Sequence, residues 1–514
     1  MPPGITIVGL GPGGPELWTE AARRVLSSAR EVWLRTGRHP GAECLRENAE
    51  IRTHSFDSWY DDAPDFDSLY TRITEHIVTL GAREEGVVYV VPGSPSAGEA
   101  TVAQIRCRAA EADLPVTIVP GLSFVEPTLT ALGIDALDGL QIADAAQLAL
   151  MHHPPLDPDR PALVAQLYNR QQAAQVKLTL MNAYPDDHRV ALVHAAGTEK
   201  EQVITCSLFE VDRQPAIDHL TTLYLPPLSG TSGLPAFQET VAHLRAPDGC
   251  PWDREQTHQS LRPYLLEECH EVLAALDEDD PISLVEELGD LLLQIALHAQ
   301  IAAEAGEFQM ADIIAKIDAK LRRRHPHVFG DVVVNGVRDV ITNWEAIKRA
   351  ERTPNSVHNL ELEGGSQLDD LPSASVLDGV SLTMPALARA QAISQRAVRV
   401  GFEWPDIGGV LEKLAEEARE VADAKSPEER EAEVGDLLFV VVNLARWLGV
   451  DAESALRMTN QRFAQRFRTL ERLALERGQA LADLDINALD LLWEEAKRLQ
   501  PQGKLQEYGD KGNE

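Results

Sequence analysis

Apolar and polar positions alternate in two different ways along this chain, and the change falls near residue 230. Before it, short apolar runs end in glycine. Ile5-Thr6-Ile7-Val8 leads into Gly9-Leu10-Gly11-Pro12-Gly13-Gly14. Val87-Val88-Tyr89-Val90-Val91 leads into Pro92-Gly93-Ser94-Pro95, and Val116-Thr117-Ile118-Val119 into Pro120-Gly121-Leu122-Ser123. Runs of this length bounded by turn residues predict buried strands. Helices are expected over 17–29, with Thr19 as cap, and over 98–112. Further strands are expected over 162–168, 189–195 and 220–227, and a helix over 175–182. Beyond the Gly/Ser/Pro cluster at 228–235, apolar residues recur at helical spacing.

The most informative helical stretch is 263–297, read as a hairpin. Glu268 and Glu271 lie three apart, as do Glu287 and Asp290, and this spacing puts each pair on one helix face. Antiparallel packing lets the pairs converge. Leu265, Leu266, Val272, Leu273 and Leu276 give the first helix an apolar face; Leu288, Leu291, Leu292, Ile295 and Ala299 do so for the second. Four carboxylates against an apolar wall need a cation between them, and Mg²⁺ is the hard, oxygen-seeking candidate. Glu267 and Glu286 read as surface charge. His258 and His270 read as surface or hydrogen-bonding residues.

The pattern recurs. Glu417, Glu420, Glu433 and Asp436 repeat the quartet. Asn460, Arg462 and Arg466 repeat Asp318, Lys320 and Arg324, while Trp493 and Lys497 repeat Trp344 and Lys348. Correspondences in one order mark a duplicated domain. The polar stretch between the copies, with Gly364-Gly365 and Pro372, reads as a linker.

The chain has 514 residues, 44% hydrophobic and 25% charged, enough for several cores. Its formal net charge of −34 argues against an extended surface that tracks the phosphates of polymeric nucleic acid. Five scattered cysteines with no CxxC pair suggest reduced thiols. No signal-type leader or membrane span is read, so a soluble cytoplasmic protein is expected, with no membrane partner.

Two resemblances add to this reading. The three strand–glycine junctions resemble the tetrapyrrole methylase family, over residues 4–227. That resemblance implies two α/β lobes with S-adenosylmethionine (SAM) in their cleft, near Gly9, Gly11, Gly13, Pro92, Gly93, Ser94, Gly121 and Ser123. The family commonly has Gly-Asp-Pro where this chain has Gly93-Ser94-Pro95, and often an acid where Gly14 stands. Gly249-Cys250-Pro251-Trp252-Asp253, Gln256-Thr257-His258 and the Glu268 hairpin together resemble the MazG-type nucleoside triphosphate pyrophosphohydrolases. That family is all-α and hydrolyses nucleoside triphosphates to monophosphate and pyrophosphate with Mg²⁺.

The implied organisation is an α/β two-lobe domain (1–228), a linker (229–236), a helical copy (237–352), a linker (353–380), a second helical copy (381–500) and a polar tail (501–514). The resemblance implies phosphate binding by Lys320, Arg324 and Lys348 in the first copy and by Asn460, Arg462, Arg466 and Lys497 in the second, with Trp344 or Trp493 near the base. It points to the second copy for turnover, with Glu417, Glu420, Glu433 and Asp436 as the catalytic set, and to a homodimer. The alternative reading makes the chain a SAM-dependent methyltransferase whose helical copies are nucleotide-binding regulatory or interaction modules.

Overall fold

Each glycine-terminated run becomes a strand of one sheet. In the computed structural model, β1 (Ile5–Gly9), β2 (Glu31–Leu34), β3 (Arg52–Ser55), β4 (Val87–Val91) and β5 (Val116–Val119) form a parallel sheet in the order β3-β2-β4-β1-β5, with β1 and β4 inside it and β5 at its edge. All five residues of β4 are buried, as expected where helices cover both faces of a parallel sheet. A second sheet contains β6 (Gln141–Asp144), β7 (Ala162–Ala165), β8 (Arg189–His194), β9 (Gln202–Ser207) and β10 (Thr221–Leu225), ordered β6-β7-β10-β8-β9. It is mostly antiparallel, with β6 and β7 parallel.

The expected elements are present with shifted bounds. The 17–29 helix is Glu20–Ser28, with the Thr19 side chain accepting from the Ala22 amide; Pro15–Leu17 is a separate 3₁₀ turn. The 175–182 helix runs instead over Arg170–Leu180, because the Asn169 side chain caps it earlier. The strand expected over 162–168 stops at Ala165, where Gln166 turns to φ +62°. Four strands had no sequence expectation: β2, β3, β6 and β9.

The structure describes residues 3–62, 65–215, 217–351, 375–378 and 380–499. Most of the 353–380 linker and the whole 501–514 tail lie outside them. The chain divides into two units, Met1–Glu267 with Gly289–Ala315, and Glu268–Leu288 with Lys316–Glu514.

The helical part has α1 (Leu234–Arg245), α2 (Pro251–Glu255), α3 (Arg262–Glu278), α4 (Pro281–Ala305), α5 (Met310–Arg324) and α6 (Val337–Ala350). It continues with α7 (Ala386–Val398), α8 (Ile407–Asp423), α9 (Pro427–Trp447), α10 (Ala452–Glu476) and α11 (Ile486–Leu499). Leu234 and Pro235, expected in the linker, form the first turn of α1, where proline lacks only an amide that has no helical partner. Among the described residues, no helix is long and apolar enough to cross a membrane.

One expectation about packing holds only in part. Ala299 is buried, but most of the apolar face assigned to the hairpin is not: Leu266 is 57% exposed, Leu276 55% and Leu288 48%. In α3 only Ala275 is buried. A two-helix hairpin has too little surface to bury both of its apolar stripes against itself.

In the first lobe the loops after β1, β4 and β5 pack glycine against glycine. Gly11 and Gly93 exchange backbone hydrogen bonds of 3.1 and 2.8 Å. A Cβ on Gly121 would sit 2.5 Å from the Gly93 carbonyl oxygen and 2.7 Å from that of Gly9. Backbone cannot yield as a side chain would, so Gly121→Ala is expected to destabilise the first lobe by about 1–3 kcal/mol. Urea denaturation of the full chain checks this; an unchanged transition would refute the packing argument.

Candidate functional site

The acidic hairpins are built by caps. The Asp406 side chain caps α8 by accepting from the Gly409 amide. Ser426 and Glu429 form a reciprocal capping box that starts α9. The short turn between them makes α8 and α9 antiparallel neighbours. Asp280 does the same for α4, accepting from the Ile282 amide at 3.0 Å and the Ser283 hydroxyl at 2.8 Å.

In the second copy, Glu417, Glu420 and Glu433 bring carboxylate oxygens within 4.8 Å of one another. Glu417 is buried at 4% exposure. Its Oε1 lies 2.8 Å from the Lys413 ammonium, while its Oε2 is buried with no hydrogen-bond partner. Burial, and then the charges of Glu417 and Glu433, push the Glu420 carboxyl upward, against the pull of Lys413. Hydrogen bonds to Glu417 and Glu416 hold the Lys413 ammonium well above its ordinary range. An unsatisfied buried oxygen among repelling carboxylates is costly, and a hard dication would relieve both problems. The donor set therefore fits a divalent ion.

In the first copy, Glu268 and Glu287 bring ligand atoms within the same 4.8 Å limit. Asp290 follows Glu287 one turn along α4 and is half-buried. Of the expected quartets, Glu271 in the first copy and Glu420 and Asp436 in the second are solvent-exposed, and Glu420 still belongs to the converging cluster. Glu267, Glu286 and His270 are exposed as well.

The basic residues lie on the helices that follow. In the first copy Lys320 and Arg324 are half-buried on α5. Arg324 Nη2 lies 2.6 Å from Glu351 Oε2, and its guanidinium carbon is 5.7 Å from the Trp344 ring centre. Asp318, which stands where the second copy has Asn460, is paired with Arg322 at 2.8 Å. The Lys348 side chain lies outside the described residues. In the second copy Arg462 donates to the Thr459 hydroxyl at 2.8 Å, and Lys497 pairs with Glu494 at 2.6 Å. The Trp493 ring meets Phe463 at 5.1 Å, which joins α11 to α10. Asn460 is exposed and Arg466 half-buried. His258, in the Gln256-Thr257-His258 run, stacks on His298 with Nδ1 atoms 2.7 Å apart.

The first unit holds a cavity of about 450 Å³ lined by both lobes. Of the expected cofactor-binding residues, Pro92, Gly93 and Ser94 line it. Gly9, Gly11, Gly13, Gly121 and Ser123 are not in its lining. Gly9 and Gly121 instead make the close loop packing described above, and Ser123 is tied to Glu126 Oε2 by its hydroxyl (2.6 Å) and amide (3.0 Å).

Sequence reasoning missed the cavity's polar wall. Arg35 follows β2, and its guanidinium pairs with Glu99 at 2.8 Å and donates to the Tyr70 hydroxyl at 3.2 Å. Burial pushes the Glu99 carboxyl up to about 7, even with Arg35 beside it. Burial also pushes the Tyr60 hydroxyl up to about 12. Gln166 and Ala195, both at positive φ, line the cavity too. Non-glycine residues in that region are strained and concentrate at ligand sites. The only available signal was the position of Arg35 at a strand end, and β2 had not been expected.

Residues 4–212 match the family described as Tetrapyrrole (Corrin/Porphyrin) Methylases. Residues 256–329 and 408–470 match the MazG nucleotide pyrophosphohydrolase domain. The uncharacterized protein YabN of Bacillus subtilis is 40% identical over 510 residues, 96% of this chain and 99% of that one. The nucleoside triphosphate pyrophosphohydrolase/pyrophosphatase MazG of Thermotoga maritima is 44% identical over 264 residues, 51% of this chain and 95% of its own length. The nucleoside triphosphate pyrophosphohydrolase of Escherichia coli K12 is 43% identical, over 50% of this chain and 94% of its own. Near-complete coverage of these relatives, with both halves of the duplication matched, places the chain in the MazG family, with two MazG domains behind a tetrapyrrole methylase domain.

Proposed function

We infer that the chain is a Mg²⁺-dependent nucleoside triphosphate pyrophosphohydrolase, cleaving the α–β phosphoanhydride to give the monophosphate and pyrophosphate, with turnover in the second copy. The observation that carries the assignment to that copy is the buried, unpartnered Oε2 of Glu417 beside Glu420 and Glu433. Glu417, Glu420, Glu433 and Asp436 would hold the ion. Bound Mg²⁺ supplies Lewis acidity toward phosphate oxygens and toward water. Arg462, Arg466 and Lys497 offer positive charge to the departing pyrophosphate. Trp493, held against Phe463, offers a flat face to the base; stacking of this kind tolerates all bases, which supports a broad triphosphate substrate range. The exposed apolar side chains of Leu276 and Leu288 support a homodimer.

The methylase domain supports a second reading, SAM binding in the first unit's cleft. The donor set is a backbone cradle at Pro92, Gly93 and Ser94, with Gly93 at φ +61° and space where a Cβ would stand. Aligning a methyl donor with an acceptor needs positioning more than a dedicated base. Calorimetry with SAM on the full chain is expected to show one site; no heat at saturating SAM would count against this reading.

Glu417→Gln with Glu420→Gln is expected to lower pyrophosphate release from a triphosphate panel by more than about a hundredfold. Unchanged release would move turnover out of the second copy. The raised Glu420 carboxyl sets a pH dependence. Its folded state binds a proton more tightly than the unfolded chain does, so without metal its contribution to stability improves as pH falls. A divalent ion competes with that proton. The rise in thermal midpoint on replacing EDTA with Mg²⁺ should therefore be full at pH 8 and shrink on acidification. A rise that grows on acidification would contradict the cluster as the binding site.

A further inference from the structure

The first copy carries an acid that the second does not. Glu351 stands seven residues after Trp344; seven residues after Trp493 the second copy has Gln500. Glu351 Oε1 lies 2.7 Å from Arg323 Nη2, and its Oε2 lies 2.6 Å from Arg324 Nη2. Arg324 Nε adds a contact to Oε1 at 3.3 Å. One carboxylate thus bridges two guanidinium groups at the C-terminal end of α5. Glu351 and Arg324 are largely shielded, with side chains 21% and 18% exposed, while Arg323 is 55% exposed. The Trp344 ring lies beside the Arg324 guanidinium, its centre 5.7 Å from the guanidinium carbon.

Planar guanidinium groups bind carboxylate and phosphate oxygens with the same fork of donors. A carboxylate held this way occupies the donors a phosphate would use. We propose that Glu351 acts as an internal phosphate mimic that keeps the first MazG copy closed to triphosphate, leaving turnover to the second. The proposal rests on the reading of Arg324 as a phosphate-binding residue. It makes Glu351 a positioning residue, acting only through the two arginines.

Acidification does not open this clamp at ordinary pH. The hydrogen bond from Arg324, outweighing burial and joined by Arg323, holds the Glu351 carboxyl down at about 2. The pairing is complete above the ordinary carboxylate range and is lost only as pH falls through that low value. Release must come from a competing polyanion or from loss of the carboxylate.

The test uses the full chain with Glu417→Gln and Glu420→Gln, so that the second copy is silenced, and inorganic triphosphate with Mg²⁺ as the probe in calorimetry. Adding Glu351→Gln is expected to tighten binding about tenfold, which corresponds to roughly 1.4 kcal/mol. Glu351→Asp, one methylene too short to span both arginines, should give a smaller gain. Returning Arg324→Gln to the Glu351→Gln chain should abolish the gain. A merely structural bridge would lower the thermal midpoint of Glu351→Gln without tightening binding. Affinity equal to or weaker than that of the parent overturns the proposal. Pyrophosphate release by the wild-type chain is measured separately: its absence would refute the hydrolase reading, whereas its presence without tightened binding refutes the clamp alone.

Discussion

Like charges forced together on apolar helices are the constraint from which the helical half follows. Glu417 is buried among other carboxylates, and the folded chain offers it one ammonium, from Lys413, and leaves its second oxygen unsatisfied. Such a cluster is tolerable only where a cation completes it. The caps at Asp406 and Ser426 fix where α8 and α9 begin, which aligns the acids across the hairpin. Stability and chemistry are therefore linked: the metal that would act on the substrate would also neutralise the hairpin.

The two copies meet this constraint differently. Where the second has Lys413, four residues before Glu417, the first has Tyr264 before Glu268, and no ammonium is supplied from that position. Where the second has Asn460, the first has Asp318, which is spent on Arg322. The copies also touch: Asp277 at the tip of the first hairpin pairs with Arg457 on α10 at 2.7 Å, both side chains largely buried. By the spacing of the repeat, Ser426 stands where Asp277 would recur, so this bridge runs in one direction only.

Much of this was legible in the sequence because it rests on spacing. Acids three apart, the repeated quartet and the glycine ends of β1, β4 and β5 are periodic or positional signals. What was missed depends on tertiary context. The strands β2 and β3 are four residues each, and β3 reads Arg-Thr-His-Ser, with no apolar alternation to announce it. With β2 unseen, Arg35 had no assigned place, and its partner Glu99 reads locally as helix-start charge. The hairpin's apolar residues were assigned to the chain's own core, and most of them are exposed or half-buried instead. Periodicity reports which face is apolar and says nothing about what covers it. Glu271 and Asp436 show the same limit: spacing put them on the hairpin helices, but they are not among the carboxylates whose oxygens converge within 4.8 Å.

The glycine packing at Gly9, Gly93 and Gly121 has a consequence for how the α/β half can change over evolutionary time. Gly9 and Gly121 lean on each other and on the Gly93 carbonyl, so neither can gain a side chain unless the loop backbones move. New ligand preferences in that cleft must then be written on the facing wall, at positions such as Arg35, Tyr60, Tyr168 and His219, which line the cavity without sharing in the lock. The cradle would remain constant as its occupant's partner changes, so chains that differ in acceptor should differ there first.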